Sequence, residues 1–353
     1  MILATCRNLG GLNQVLPATK ELRRRGYGVV IATNGRVVAE SLSAQMEPFI
    51  FADSPLFILD AVRNVNLFFT STCFGGIGRK LITDASLGCP KIVLQDFWGA
   101  GVFTDWREVR YRPDYICVND QVDSEITQKA WPEFDKSKIK VTGYSAFDKY
   151  ILVDVKSQQE LVFSKLGLDS RKKMVLFAGH AYGTVGALFE LVKVLNDVQA
   201  GIYLVVRFHP RMTEHEGGDK EKLDCLDILT DFRGGDLVKD TTMFDSPTVL
   251  SAADVVISMY STMLVEAAVL RKPNISILYP DKGMRQFFSE CPGLDESPLV
   301  SLGCSLKATN REELELAVRD ALKRNSLLRI QENSFKLDGM NTNRIVNFLE
   351  SLI

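Results

Sequence analysis

Short apolar runs alternate with segments of helical period along the whole chain, and this alternation restricts it to parallel βαβ units. In the first half the strand candidates are Ile2–Cys6, Val29–Thr33, Phe49–Phe51, Leu67–Thr70, Ile92–Gln95, Tyr115–Val118 and Ile139–Thr142. Helices are expected between them over Leu12–Arg25, Val37–Ala44, Ile77–Leu87 and Val122–Ala130. A helical connection from about Ala146 to Lys173 interrupts the pattern, with Leu161, Phe163 and Leu166 apolar and Gly167 as its stop. The alternation then restarts. Strands are expected at Met174–Ala178, Ile202–Phe208, Leu237–Val238, Val255–Ser258, Asn274–Leu278 and Leu299–Val300. Helices are expected at Val185–Asp197, Thr248–Ala252, Met263–Leu270 and Arg311–Arg324, the last with Thr309 and Glu312 as a capping box.

A chain of 353 residues exceeds what one core usually supports, so the restart reads as a second domain. The expected fold class is α/β, two Rossmann-like doubly wound domains facing a cleft. Residues 1–148 form the first domain, 149–173 a linker helix region and 174–340 the second domain. Residues 341–353 carry an apolar stripe (Ile345, Val346, Phe348, Leu349, Leu352, Ile353) read as a last helix, with Asn341 as its cap. Ligands of such sheets sit outside the carboxyl ends of the strands, so the expected site lies where the two domains face each other.

Charge excludes one class of partner. With 42 Lys+Arg against 44 Asp+Glu the net charge is −2, far from a nucleic-acid binder's. The first 150 residues, with 18 basic and 16 acidic side chains, are mildly basic, which leaves peripheral contact with an anionic membrane surface open. The longest uncharged stretch, Met174–Phe189, is too short to span a bilayer, and Met1–Cys6 runs straight into a glycine turn, so neither a span nor a signal peptide is expected. Seven scattered cysteines without a CxxC read as reduced thiols in a cytosol.

The strongest constellation runs from Asp254 to Pro273, where an apolar strand ends at Ser258–Thr262 and a helix starts at once. The free amides of that helix start, with the Ser261 and Thr262 hydroxyls, suit a diphosphate without a bound metal. Glu266, one turn on, is placed to accept both hydroxyls of a ribose. The alternative is that Ser261 and Thr262 only cap the helix and Glu266 is solvated. In Tyr203–Arg211, strand alternation sets Arg207, His209 and Arg211 on one side and Pro210 ends the strand. Arg207 would neutralise a phosphate and His209 donate to it, or the two would cap carbonyls at the strand end. Gly179-His180, followed by Gly183 and Gly186, is a strand-to-helix turn without GxGxxG spacing. His180 stands there as donor ligand or acid.

In the first domain, Asn8-Leu9-Gly10-Gly11-Leu12-Asn13 joins strand to helix, with two glycines for close ligand approach and Asn13 as the cap. Ser71–Gly78, with Gly75 and Gly76, is a second such turn, and Gln95-Asp96-Phe97-Trp98-Gly99 is a third. A carboxylate beside aromatics suits a sugar-like acceptor and a general base, though Phe97 and Trp98 equally suit a core. GxSxG, HExxH and a Walker lysine are missing, against hydrolase triads, zinc chemistry and P-loop phosphoryl transfer.

Taken together, Gly10-Gly11, Val141-Thr142-Gly143-Tyr144 through Phe147-Asp148, Arg207-Phe208-His209-Pro210, Ser261-Thr262 with Glu266 and Lys272-Pro273, and Asp338-Gly339 with Asn343–Val346 resemble the GT-B nucleotide-sugar enzymes. That group includes UDP-N-acetylglucosamine 2-epimerases, polymer-forming CDP-glycerol transferases and capsule or lipid-linked glycosyltransferases. The resemblance implies a last helix that crosses back to the first domain. The chain departs from the epimerases at Met259–Thr262 and at Tyr279–Gly283, where it lacks their acidic and basic groups.

The resulting expectation is a cytoplasmic, metal-independent glycosyltransferase without a cofactor, possessing a nucleotide-sugar donor, UDP-linked, and a glycan or lipid-linked acceptor. The donor side is Gly179, His180, Arg207, His209, Ser261, Thr262 and Glu266, with His180 also catalytic. The acceptor side is Gly10, Gly11, Asn13, Gly75, Gly76 and Asp96, with Asp96 the base of an inverting reaction. The alternatives are a 2-epimerase, a CDP-glycerol-type glycerophosphotransferase and a non-catalytic nucleotide-sugar sensor.

Overall fold

The computed structural model describes residues 1–73, 75–99, 105–180, 183–198, 201–209, 212, 218–238, 241, 243–279, 288, 294, 296–335 and 337–353. It divides into two compact units: Met1–Lys149 with Glu290–Asp295 and Asp338–Ile353, and Tyr150–Ser289 with Glu296–Leu337.

The first unit is built on a seven-stranded sheet of β1 (Ile2–Thr5), β2 (Val29–Thr33), β3 (Phe49–Phe51), β4 (Leu67–Ser71), β5 (Lys91–Leu94), β6 (Tyr115–Val118) and β7 (Ile139–Val141). Their order is β3-β2-β1-β4-β5-β6-β7 and their pairings are parallel. β1 and β4 are buried along their whole length, as strands covered on both faces are, and the Thr5 hydroxyl at the end of β1 is satisfied by donating to that of Thr70 in β4 at 2.8 Å. The order reverses between β1 and β4, and that switch point opens a crevice at their carboxyl ends. The helices are α1 (Leu9–Arg24), α2 (Arg36–Ala44), α3 (Pro55–Ala61), α4 (Ile77–Ile82) and α5 (Gln121–Ala130).

The second unit repeats the plan with β8 (Met174–Ala178), β9 (Ile202–Arg207), β10 (Gly235–Val238), β11 (Val255–Ser258), β12 (Asn274–Ile277) and β13 (Leu306–Ala308). Their order, β10-β9-β8-β11-β12-β13, puts its switch point between β8 and β11. Its helices are α6 (Val155–Leu166), α7 (Thr184–Val198), α8 (Gly218–Thr230), α9 (Ser246–Ala252), α10 (Thr262–Val269), α11 (Pro298–Ser301), α12 (Arg311–Lys323) and α13 (Leu328–Ser334). Gly167, at φ +63°, ends α6 in the left-handed conformation that suits glycine. The last helix, α14 (Asn341–Glu350), packs in the first unit, where Ile345, Val346 and Leu349 join the core of Leu12, Val15 and Leu22.

Several local expectations are corrected. Helix α1 begins at Leu9, and its cap is Asn8, whose side chain accepts from the Gly11 N–H at 2.6 Å; Asn13 is exposed on the helix and caps nothing. Leu299–Val300 lies in α11, not a strand, because Pro298 at the first helical turn fits a helix start, and the edge strand is β13. The capping pair of α12 sits one residue later than expected: Asn310 accepts from the Glu313 N–H, and Glu313 accepts from Thr309. Asn341 does not cap α14; Asp148 does. Helices α3, α8 and α13 carry no strong apolar period and were not expected. Among the described residues no helix is long and apolar enough to cross a membrane.

Candidate active site

At the second unit's switch point, the turns after β8, β9 and β11 bring the donor-side residues together. The Gly179 N–H donates to the Arg207 carbonyl at 2.8 Å, and a Cβ on Gly179 would lie 3.2 Å from the His209 backbone nitrogen. A side chain there would press the two turns apart. The His180 ring lies 6.4 Å from that of His209 and 6.5 Å from that of Tyr260, centroid to centroid. Thr184 fixes the His180 main chain from both sides, accepting from its N–H at 3.0 Å and donating to its carbonyl at 2.8 Å. Tyr260, which sequence reasoning did not single out, stands directly before Ser261 and packs on Phe288 at 5.4 Å.

Arg207 ends β9. One guanidinium nitrogen, Nη2, donates to the Phe244 carbonyl at 3.3 Å, while Nη1 is buried with no hydrogen-bond partner among the described residues. Desolvation lowers the pKa of Arg207, and the carboxylates of Asp245 and Glu266 act against that. A half-buried cation with an unmet donor is costly unless an anion completes it. Glu266 is 7% exposed, so it is not solvated. Ser261 does cap α10, accepting from the Met263 N–H at 3.2 Å. Pro210 and Arg211 lie outside the described residues, as do 280–283.

At the first unit's switch point, the turns after β1, β4 and β5 meet. A Cβ on Gly10 would lie 3.3 Å from Asp96 Oδ2, so the carboxylate stands directly over that glycine. A Cβ on Gly11 would lie 2.1 Å from Ser71 Oγ and 2.4 Å from Cys73 Sγ. Gly75, at φ +61°, and Gly76 both lie against Arg7. The Thr72 hydroxyl donates to Asp96 Oδ1 at 2.5 Å, and burial, the dominant influence, raises the Asp96 pKa above its ordinary value. Burial makes this carboxylate a stronger proton acceptor than a solvent-exposed one. Gly10, Gly11, Gly75, Gly76 and Asp96 therefore form one cluster, and Asn13 stands apart from it on α1.

A model of the family described as CDP-Glycerol:Poly(glycerophosphate) glycerophosphotransferase matches residues 100–285. The chain belongs to that family. The matched span contains the whole second-unit cluster, Gly179, His180, Arg207, His209, Ser261, Thr262 and Glu266; Asp96 and its neighbours Gly10, Gly11, Gly75 and Gly76 lie before it. Family membership makes the chain a relative of transferases. Solved structures agree in fold. A variant of the wall teichoic acid polymerase TagF soaked with CDPG is 12% identical at a TM-score of 0.63, covering 99% of this chain and 88% of that one. The UDP-GlcNAc 2-epimerase from Neisseria meningitidis, bound to UDP-GlcNAc, is 14% identical at 0.69, covering 99% of both chains. That from Methanocaldococcus jannaschii is 14% identical at 0.66, covering 99% of this chain and 100% of that one. These likenesses bear out the GT-B class expected from the motifs. No curated protein sequence matches the chain.

Proposed function

We propose that this member of the family transfers a glycerophosphate group from CDP-glycerol to a hydroxyl of a polymeric or lipid-linked acceptor, at the cytoplasmic side of the cell. The buried Nη1 donor of Arg207, unmet among the described residues, carries the reading, because it calls for an anion at the carboxyl end of β9 inside the matched span. The cytidine donor replaces the uridine donor expected from motifs alone, since the family's description names CDP-glycerol.

In this reading the donor diphosphate lies against Arg207, His180, His209 and the start of α10, and Glu266 accepts from the ribose hydroxyls. The acceptor oxygen attacks the β-phosphorus, its proton passes to Asp96, and the bond from that phosphorus to the bridging oxygen breaks. CMP leaves with the bridging oxygen. Arg207 and the two histidines offset the charge that gathers on it, which is where preorganised donors lower a barrier most. Transfer needs no covalent intermediate with the protein. Calorimetry against CDP-glycerol, UDP-N-acetylglucosamine and their nucleotides tests the donor, with CDP-glycerol expected to bind at least tenfold tighter. Preference for the uridine compound would return the reading to a glycosyltransferase, and conversion of UDP-N-acetylglucosamine without acceptor to an epimerase.

A further inference from the structure

The turn that carries Asp96 is fastened from behind by a second carboxylate. Asp123, in the first turn of α5, is fully buried. Its Oδ1 accepts from the Gln95 side-chain amide at 2.5 Å and from the Gly99 N–H at 3.0 Å, and its Oδ2 accepts from the Asn119 N–H at 3.0 Å. Two of these donors are the two ends of the Gln95–Gly99 turn. Gln95 is held again through its main chain, donating to the Cys117 carbonyl at 2.8 Å and accepting from Gln14 Nε2 at 3.2 Å. Capping does not explain Asp123. Asp120 already caps α5, accepting from the Asp123 N–H at 2.8 Å, while its other oxygen takes the Trp98 indole N–H at 2.7 Å.

We propose that Asp123 is the positioning residue of the Asp96 turn, clamping both of its ends so that the Asp96 carboxylate stays over Gly10. The role in transfer rests on Asp96 as the base; the clamp itself does not. Ionised, Asp123 accepts from all three donors. Protonated, one of its oxygens becomes a hydroxyl and the clamp loosens. Asp120, on its own helix, is the charged group acting on it among the described residues; the turn and the end of β6 face it with neutral donors, the Gln95 amide and the N–H groups of Gly99 and Asn119. Burial, and then Asp120, push Asp123 up to about 7, against the pull of the three donors.

The full chain is titrated from pH 5 to 9 while Trp98 fluorescence is followed, with Trp98→Phe as the control that should lose the signal. A midpoint near pH 7 is expected, absent in Asp123→Asn and moved upward in Gln95→Met, which removes one donor to the ionised form. With CDP-glycerol and a glycerophosphate-ended acceptor, Asp123→Asn should lower kcat by about tenfold to hundredfold, the scale of a slightly misplaced catalytic group, with KM for the donor within about threefold. A midpoint that persists in Asp123→Asn or stays fixed in Gln95→Met overturns the clamp, and so does an unchanged kcat. If the midpoint behaves as expected but the wild-type protein gives no turnover, the clamp stands and the functional reading falls.

Discussion

Asp148 caps a helix that begins almost two hundred residues later, accepting from the Thr342 N–H at 2.7 Å and the Asn341 N–H at 3.0 Å. The first amides of α14 have no partner within their own helix and form the positive end of its dipole, so a carboxylate there satisfies both needs. Asp148→Ala should destabilise the first unit by about 1–2 kcal/mol, and Asp148→Asn by less, in urea unfolding.

Gly11 should tolerate no side chain. A Cβ would lie 2.1 Å from Ser71 Oγ, and both that hydroxyl and Cys73 are buried and have nowhere to move. Gly11→Ala is expected to cost about 1–3 kcal/mol by overpacking, read as a lowered melting temperature.

In the second unit, Arg207→Met removes the half-buried cation but keeps its bulk. Donor affinity should fall by about tenfold to hundredfold, the scale of a lost hydrogen bond to a charged group. Glu266→Ala separates ribose from phosphate recognition. It should weaken CDP binding and leave inorganic pyrophosphate binding unweakened in calorimetry, because removing a carboxylate near Arg207 cannot repel an anion.

Asp96→Asn should lower kcat by about a hundredfold or more while donor affinity stays the same. The pH dependence has a fixed sign. The base works ionised and burial raises its pKa above its ordinary value, so wild-type kcat should fall as pH drops through that raised pKa.

Stability runs the other way for Asp123. Its carboxyl titrates at about 7 when folded and at the ordinary 3.8 when unfolded, so between these values the folded state holds a proton that the unfolded state has lost. This contribution is full below pH 4, is lost by on the order of a few kcal/mol as pH rises to about 7, and changes no further above it. Chemical denaturation of wild type and Asp123→Asn across that range should show the slope in the former and not in the latter.

The sheets were legible because parallel strands covered on both faces are mostly apolar runs, as in Val29–Thr33 and Val255–Ser258. Leu299–Val300 misled for the same reason, since two apolar residues fit a strand as well as the α11 turn that Pro298 starts. Glycine turns were legible as strand-to-helix junctions, and the structure shows what each admits: Gly10 the Asp96 carboxylate, Gly179 the His209 main chain. Caps were less so. Asn8 and Asn13 are the same residue type on either side of two glycines, and only the course of the backbone separates them.

The order of apolar and helical segments by itself determined two doubly wound sheets and the turns at their strand ends, because period and burial are local properties of a chain. Tertiary structure alone decided that Asp123 reaches back to Gln95, that Asp148 reaches forward to Thr342, and that Arg207 keeps a donor unmet among the described residues. Those facts depend on which side chains share a buried volume, and residues far apart in sequence meet there only after the sheets have formed.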